Sequence, residues 1–352
     1  MGVFCTTLPD DEDAMEITTT VSALNELGRP QNYGWARNPC IVYEPGLLRV
    51  PRLSISQSDR YILLSPGYLV LFEILDDSYL GYLCISIVSM KDKRRSSRAF
   101  MTPFPLGSFD LPKDSESGSI KIVQKKATVN FARMEGGARI IKADVPGFGK
   151  KRGLTGQIVL SPLPEAESLV THKPWRGKRD AFFYSQRSPC YSAEGVILFG
   201  NIEIVFIKGS GWGIFDWTRG VRPRQDLGFW AAGCTQIDGQ QAGFSVGYNS
   251  ADSSYGTDNA FFLNGKLHKL DQVSFHIPSG KNEPWRFTSN DNRLEMTFTP
   301  HQERDENHQM FFYSLKRRQL FGSFTGRVIL DNDQEFSFEN MMGIAERRKS
   351  RL

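Results

Sequence analysis

Asp216 stands in an apolar, aromatic stretch, Ile214-Phe215-Asp216-Trp217, within the segment Gly211–Gly220. A carboxylate is expensive to bury without a partner, so this position calls for an ion pair or a chemical role. Three residues on, Arg219 offers a guanidinium able to hold a carboxylate through two parallel hydrogen bonds. One reading is a structural Asp216–Arg219 pair that fixes a strand crossing. The other is chemical: Asp216 faces a cavity with a shifted pKa and gives or takes a proton, with Arg219 as its tuning partner. Trp212, Trp217, Trp230, Tyr248 and Asn249 would then line the cavity, the aromatic rings holding an apolar ligand or shielding developing positive charge. Tyr184 and Gln186, two apart, fall on one face of a neighbouring strand, and Trp35 and Arg37 form a third polar-aromatic set. The competing readings of these last two sets are sheet decoration and anchoring of an N-terminal arm.

Other chemistries find less support. Gly209-Ser210-Gly211-Trp212-Gly213 is not a dinucleotide fingerprint, and no Walker A lysine pattern occurs, so neither standard nucleotide cradle is expected. Gly243-Phe244-Ser245-Val246-Gly247 matches G-x-S-x-G but reads as the middle of a hairpin strand, where a nucleophile elbow needs a sharp strand-to-helix turn. His301 and His308 flank Glu303 and Asp305 in what reads as a polar loop, without metal-ligand spacing. The five cysteines stand far apart with no C-x-x-C pair, against a zinc site or disulfide scaffold. The expected inventory is therefore no metal and no cofactor.

The elements that would position these residues are almost all strands. β-rich runs such as Tyr61–Leu64, Tyr68–Ile74 and Tyr79–Val88 are parted by turn chemistry, and Gly200-Asn201, Asp238-Gly239 and Asn264-Gly265 mark two-residue hairpins. Only Asn340–Lys349 reads as helix. The pattern predicts an all-β chain of antiparallel barrels or sandwiches with a short C-terminal helix. Its division is an extended arm over 1–50, a larger β-domain over 51–255 and a smaller one over 256–352. The proline-rich arm is expected to cross a sheet or plug a barrel mouth.

Composition agrees with a globular protein. With 352 residues the chain suits two domains, and a net charge of +4 with short basic clusters (Lys91–Arg98, Lys316–Arg318, Arg347–Arg351) gives no nucleic-acid stripe. These clusters read as solvated edges and tails. No apolar run approaches the length of a membrane helix. Together with the cysteine pattern this predicts a cytoplasmic setting. Two weak address signals compete with it. Met1-Gly2-Val3-Phe4-Cys5-Thr6 fits a myristoylation pattern, although the acidic run Asp10–Asp13 follows it, and Ser350-Arg351-Leu352 is a variant of a peroxisomal tripeptide. A frayed basic tail is the competing reading of the latter.

Several stretches, in order along nearly the whole chain, carry a family resemblance. They are Tyr33–Arg37, Met101–Gly107, Phe183–Gln186, Phe215–Gly220, Asn264–Leu270 and Pro284–Phe287. At these residues the chain resembles the domain of unknown function 2804 proteins, themselves distantly similar to two-domain lipocalin-like proteins. Carotenoid 1,2-hydratases, tocopherol cyclases and fungal Diels–Alderases are among the latter. The resemblance implies two lipocalin-like β-domains and protonation, hydration or cyclisation of polyene or isoprenoid substrates without metal or nucleotide. The hydratase-like relatives read Asp-His-x-Trp-Gly, whereas here Asp216-Trp217-Thr218-Arg219-Gly220 keeps only the aspartate and the glycine. Two expectations follow: a cofactor-independent cyclase, isomerase or hydro-lyase acting on a hydrophobic small molecule, or a non-catalytic carrier using the same cavity.

Overall fold

The computed structural model describes residues 2–4, 15–124, 126–280, 283–310 and 313–351. Met1, Cys5 and Asp10–Asp13, on which the lipidation expectation turns, lie outside them, as does Leu352. The strands in chain order begin with β1 (Gly2–Phe4), β2 (Val21–Ser22), β3 (Gly34–Ala36), β4 (Ile41–Val42) and β5 (Ile55–Ser65). There follow β6 (Tyr68–Asp76), β7 (Leu80–Ser89), β8 (Arg94–Pro103), β9 (Ser119–Gln124), β10 (Ala127–Arg133) and β11 (Arg139–Val145). Next are β12 (Leu154–Ser161), β13 (Leu169–Trp175), β14 (Lys178–Phe199), β15 (Ile202–Phe206), β16 (Trp212–Val221), β17 (Gln225–Ile237) and β18 (Gln240–Tyr248). The last are β19 (Ala260–Leu263), β20 (Lys266–Lys269), β21 (Val273–Ile277), β22 (Trp285–Ser289), β23 (Leu294–Met310), β24 (Tyr313–Ile329) and β25 (Glu335–Arg351).

The strands form two large antiparallel sheets, as the alternating pattern predicts. The first, of 13 strands, runs β8-β7-β6-β5-β16-β14-β12-β11-β10-β9, with β13, β15 and β3 attached through β14 and β13. Its ends approach each other, since Gln124 Nε2 on β9 donates to Thr102 Oγ1 on β8 at 3.1 Å. The interior is filled by an aromatic core that includes Tyr61, Phe72, Phe131, Phe215 and Trp217. The second sheet, of 10 strands, runs β1-β21-β22-β23-β24-β25-β17-β18-β19-β20 around its own core of Phe244, Phe287, Phe298 and Phe324. The chain passes between the sheets at Val221 to Gln225, upstream of the division at 255 drawn from the sequence.

Hairpin chemistry holds at its simplest points. Asp238-Gly239 and Asn264-Gly265 turn with positive φ at both residues (49° and 77°; 49° and 79°), the backbone that matches the twist of flanking strands. The arm packs Ala23, Ile41 and Tyr43 into the first core and adds β3 to the edge of β13, so it closes one end of that sheet.

Three expectations are corrected. Asn340–Lys349 is not helical but belongs to β25, whose residues pair with β24 and β17 on both sides. The partner strands override a composition rich in helix formers. His301–His308 is not a loop but lies in β23, where the register shifts at His301 and Gln302–His308 pair with β24. The basic clusters are not all solvated: Arg317 is buried, and Ser350 and Arg351 are paired in β25 rather than frayed. No helix among the described residues is long and apolar enough to cross a membrane.

Candidate active site between the sheets

Strand alternation decides where each candidate side chain goes. On β16, Trp212, Ile214 and Asp216 face the second sheet, whereas Phe215, Trp217 and Arg219 point into the first core. Three apart in a strand, Asp216 and Arg219 lie on opposite faces, so the predicted pair does not form. Arg219 instead donates to Asp59 Oδ1 at 2.8 Å and to the Pro112 carbonyl at 2.7 Å, buried within the first sheet. Gly220 ends the segment because a Cβ there would stand 2.3 Å from the Phe182 carbonyl oxygen.

Asp216 is held by arginines from both neighbouring strands. Arg60 on β5 donates to Oδ2 through Nε at 2.9 Å and Nη2 at 2.6 Å, and Arg187 on β14 donates to Oδ1 at 3.3 Å. Register explains the arrangement: Arg60 and Arg187 are the direct cross-strand partners of Asp216, and Glu73 is that of Arg60. The result is a ladder of alternating charge across four strands of one face, Glu73–Arg60–Asp216–Arg187.

The second sheet presents a complementary row. Gln319 pairs with Glu346 and Glu346 with Trp230 across β24, β25 and β17. Arg60 spans the gap, donating Nη1 to Glu346 Oε2 at 2.9 Å while its guanidinium lies 4.2 Å from the centroid of the Trp230 ring. Arg317 crosses the other way, gripping Glu73 through both terminal nitrogens and Tyr82 Oη at 2.7 Å. Burial would raise the Glu73 carboxyl, but the charge and hydrogen bonds of Arg317, with Arg60 and Arg304, hold it at about 2. Apolar clusters flank these rows, Ile62, Trp212 and Ile344 in one and Leu75, Tyr82 and Leu315 in the other.

Where the rows part, a cleft of about 80 Å³ opens, lined by Asp216, Arg60, Arg187, Phe183, Trp230, Tyr248, Asn249 and Asp226 among others. Four of the predicted residues meet here: Asp216, Trp230, Tyr248 and Asn249. Trp230 is fixed by its Nε1, which donates to Ser245 Oγ at 3.0 Å. That bond accounts for Ser245, buried in mid-strand of β18 and far from any elbow geometry. Asp226 is an addition. Burial pushes its carboxyl up, against the lowering effects of Arg348 and of hydrogen bonds from Ser250.

The other candidates lie elsewhere. Trp212 packs in the apolar layer between the sheets, and Trp217 packs edge-on against Tyr184 at 4.9 Å inside the first core, so neither is a cleft wall. Tyr184 and Gln186 do share a face of a strand beside β16, but it is the inner face; Tyr184 Oη donates to the Ile41 carbonyl at 2.7 Å. Trp35 is buried where β3 meets β13, and Arg37 reaches Glu167 at 3.3 Å and the Leu267 carbonyl at 2.6 Å, which is an anchoring role. Sequence reasoning missed Arg60, Glu73, Arg187, Asp226, Arg317 and Glu346. Only Glu73 carried the signal that marked Asp216, a charge inside an apolar strand (Tyr68–Leu75).

Among the described residues, no group of three His, Cys, Asp or Glu side chains is placed to hold a metal ion. No curated protein matches the chain. Among solved structures, CghA with Sch210972 aligns over 97% of both chains at 11% identity with a TM-score of 0.48. Kievitone hydratase from Nectria haematococca aligns over 84% of this chain and 88% of its own at 8% identity, TM-score 0.42. A candidate AttH from Nitrosomonas europaea covers 83% and 91% at 14% identity, TM-score 0.46. The family model for the Domain of unknown function (DUF2804) matches residues 14–352, which is nearly the whole chain, and the protein belongs to that family.

Proposed function

We propose that the chain is a cofactor-independent enzyme of the isomerase, cyclase or hydro-lyase type, acting on a small organic molecule held between its two sheets. The observation that carries this reading is that two of the carboxylates lining the cleft, Asp216 and Asp226, stand in unlike environments. Asp216 is clamped by Arg60 and Arg187, whereas the carboxyl of Asp226 is pushed up by burial. Carboxylates set apart in this way divide the work of proton acceptor and proton donor. Asp226 gives a proton to the ligand, and Asp216 takes one or stabilises positive charge as it develops. Trp230, with Phe183 and Tyr248, supplies aromatic surface for the apolar part of the ligand.

The lining is more polar than the density of tryptophan in the sequence implies, and about 80 Å³ is well below the volume of a drug-sized pocket. The ligand that fits is compact, or inserts one polar end while its apolar remainder lies against the half-buried Tyr248. A hydrophobic molecule with an oxygenated end meets both conditions.

A carrier is the second reading, and one observation favours it: both oxygens of Asp216 are already engaged. Native mass spectrometry of the purified protein, followed by incubation with a small-molecule extract of its own cells, separates the two. For the enzyme, Asp216→Asn and Asp226→Asn retain the bound mass but convert the extract component that the wild type consumes about 10²–10⁴-fold more slowly. For the carrier, nothing is converted by any form and the variants alter occupancy alone. If the wild type neither holds nor converts a molecule, both readings fall.

A further inference from the structure

A second pocket, of about 230 Å³, lies where the arm, the 163–168 turn, β14 and the β18–β20 strands meet. It is separate from the cleft, because Gln186 and Arg187 are consecutive in β14 and project to opposite faces. Its lining is rich in acceptors. Glu116, Glu165 and Glu167 surround it together with Gln186 and Gln241, and no lysine or arginine is among its described lining residues. Aromatic surface comes from Tyr191 and Phe262, both buried.

Two of these acceptors have no partner among the described residues: Gln186 Oε1 and Gln241 Oε1, both buried atoms. The Gln186 side chain is only 4% exposed. Its orientation is fixed, since Nε2 donates to Ser168 Oγ at 3.1 Å and Glu116 Oε1 at 3.4 Å, and only the amide nitrogen can donate to a carboxylate. The carbonyl is thereby left without a partner in a buried place, where an unpaired acceptor is costly. Glu167 is neutralised by Arg37 and Lys266, and Glu116 stands 3.8 Å from Arg139, but Glu165 makes no ion pair among the described residues. The pocket thus carries one glutamate without an ion pair among the described residues, Glu165, and two unmet acceptors beside aromatic and proline surfaces.

We infer that this pocket binds a small organic cation, an ammonium group borne on an aromatic ring or a short apolar chain. The ammonium donates to Gln186 Oε1 and Gln241 Oε1 and is balanced by Glu116 and Glu165, while the apolar part packs on Phe262 and Tyr191. An ammonium brings three donors and no acceptor, which is what this lining lacks.

The test is isothermal titration of the full chain with phenethylamine, 2-phenylethanol and phenylacetate. The expected result is saturable binding of the amine, with the alcohol about tenfold weaker and the anion weaker still, the size of one lost charge-assisted hydrogen bond. Gln186→Leu and the exposed Glu165→Gln each weaken the amine several-fold, and the second guards against a folding defect in the first. Asp216→Asn leaves amine binding unchanged, so failure here is distinguishable from failure of the cleft reading. Equal binding of amine and alcohol, preference for the anion, or no binding at all overturns the inference.

Discussion

At the scale of single residues, the central substitution concerns which arginine answers Asp216. Cross-strand geometry couples it to Arg60 at 2.6 Å, whereas Arg219 answers Asp59 at 2.8 Å on the other face. A double-mutant cycle of Asp216→Asn with Arg60→Gln should therefore give a coupling of about 1–3 kcal/mol, and the cycle with Arg219→Gln less than about 0.5 kcal/mol. Chemical denaturation of the four variants measures both; equal couplings would contradict the register. Removing Arg219 alone leaves Asp59 with Arg133 as its remaining ion partner, and breaking a buried pair costs about 3–5 kcal/mol. Asp226 makes a kinetic prediction. With its carboxyl raised by burial, a donor role requires activity to fall as pH rises through a value above the ordinary aspartate range. That limb should vanish in Asp226→Asn, and a profile identical to wild type would remove Asp226 from the mechanism.

At the scale of elements, β25 is the clearest case of what the sequence hid. Its composition reads as helix, yet it lies between β24 and β17 and carries Glu346 to the interface. A strand whose two neighbours are distant in sequence shows its period only through its partners, and charged residues at interface positions break the alternation that marks a buried face. The short hairpins were legible because their turn residues are local. The ladder was not, because its members come from strands far apart in the chain and meet only through register. Asp216 stood out on its own apolar strand, but its partners did not. Hydrogen exchange tests the new assignment: amides of Arg347–Arg351 should be strongly protected, and exchange at the rate of a free tail would contradict it. Ser350 and Arg351 are paired on both sides, with β17 and with β24.

At the scale of the molecule, two sheets are joined through buried charge flanked by apolar layers, so their stabilities are tied to pH. Burial holds the His172 imidazole at about 4, and the arginines hold Glu73 at about 2. Both groups bind protons more readily when unfolded, near 6.5 for His and 4.5 for Glu. The stability contributed by these two groups is therefore full above about pH 6.5, falls toward pH 4 as protonation of His172 favours unfolding, and falls further toward pH 2 through Glu73. Thermal melts across pH 7 to 3 should show a continuous fall in midpoint. A flat profile over that range would contradict the buried state of these groups.

A ligand bound between the sheets around Asp216 would slow backbone exchange in the strands that line the cleft. Hydrogen–deuterium exchange of the protein with and without a small-molecule extract of its own cells addresses this directly. Binding in the cleft predicts slowed exchange in the segments around Arg60, Phe183–Arg187, Asp216, Asp226–Trp230 and Glu346, with the effect reduced in Trp230→Ala. Protection confined to other surfaces, or none in these segments, would contradict it.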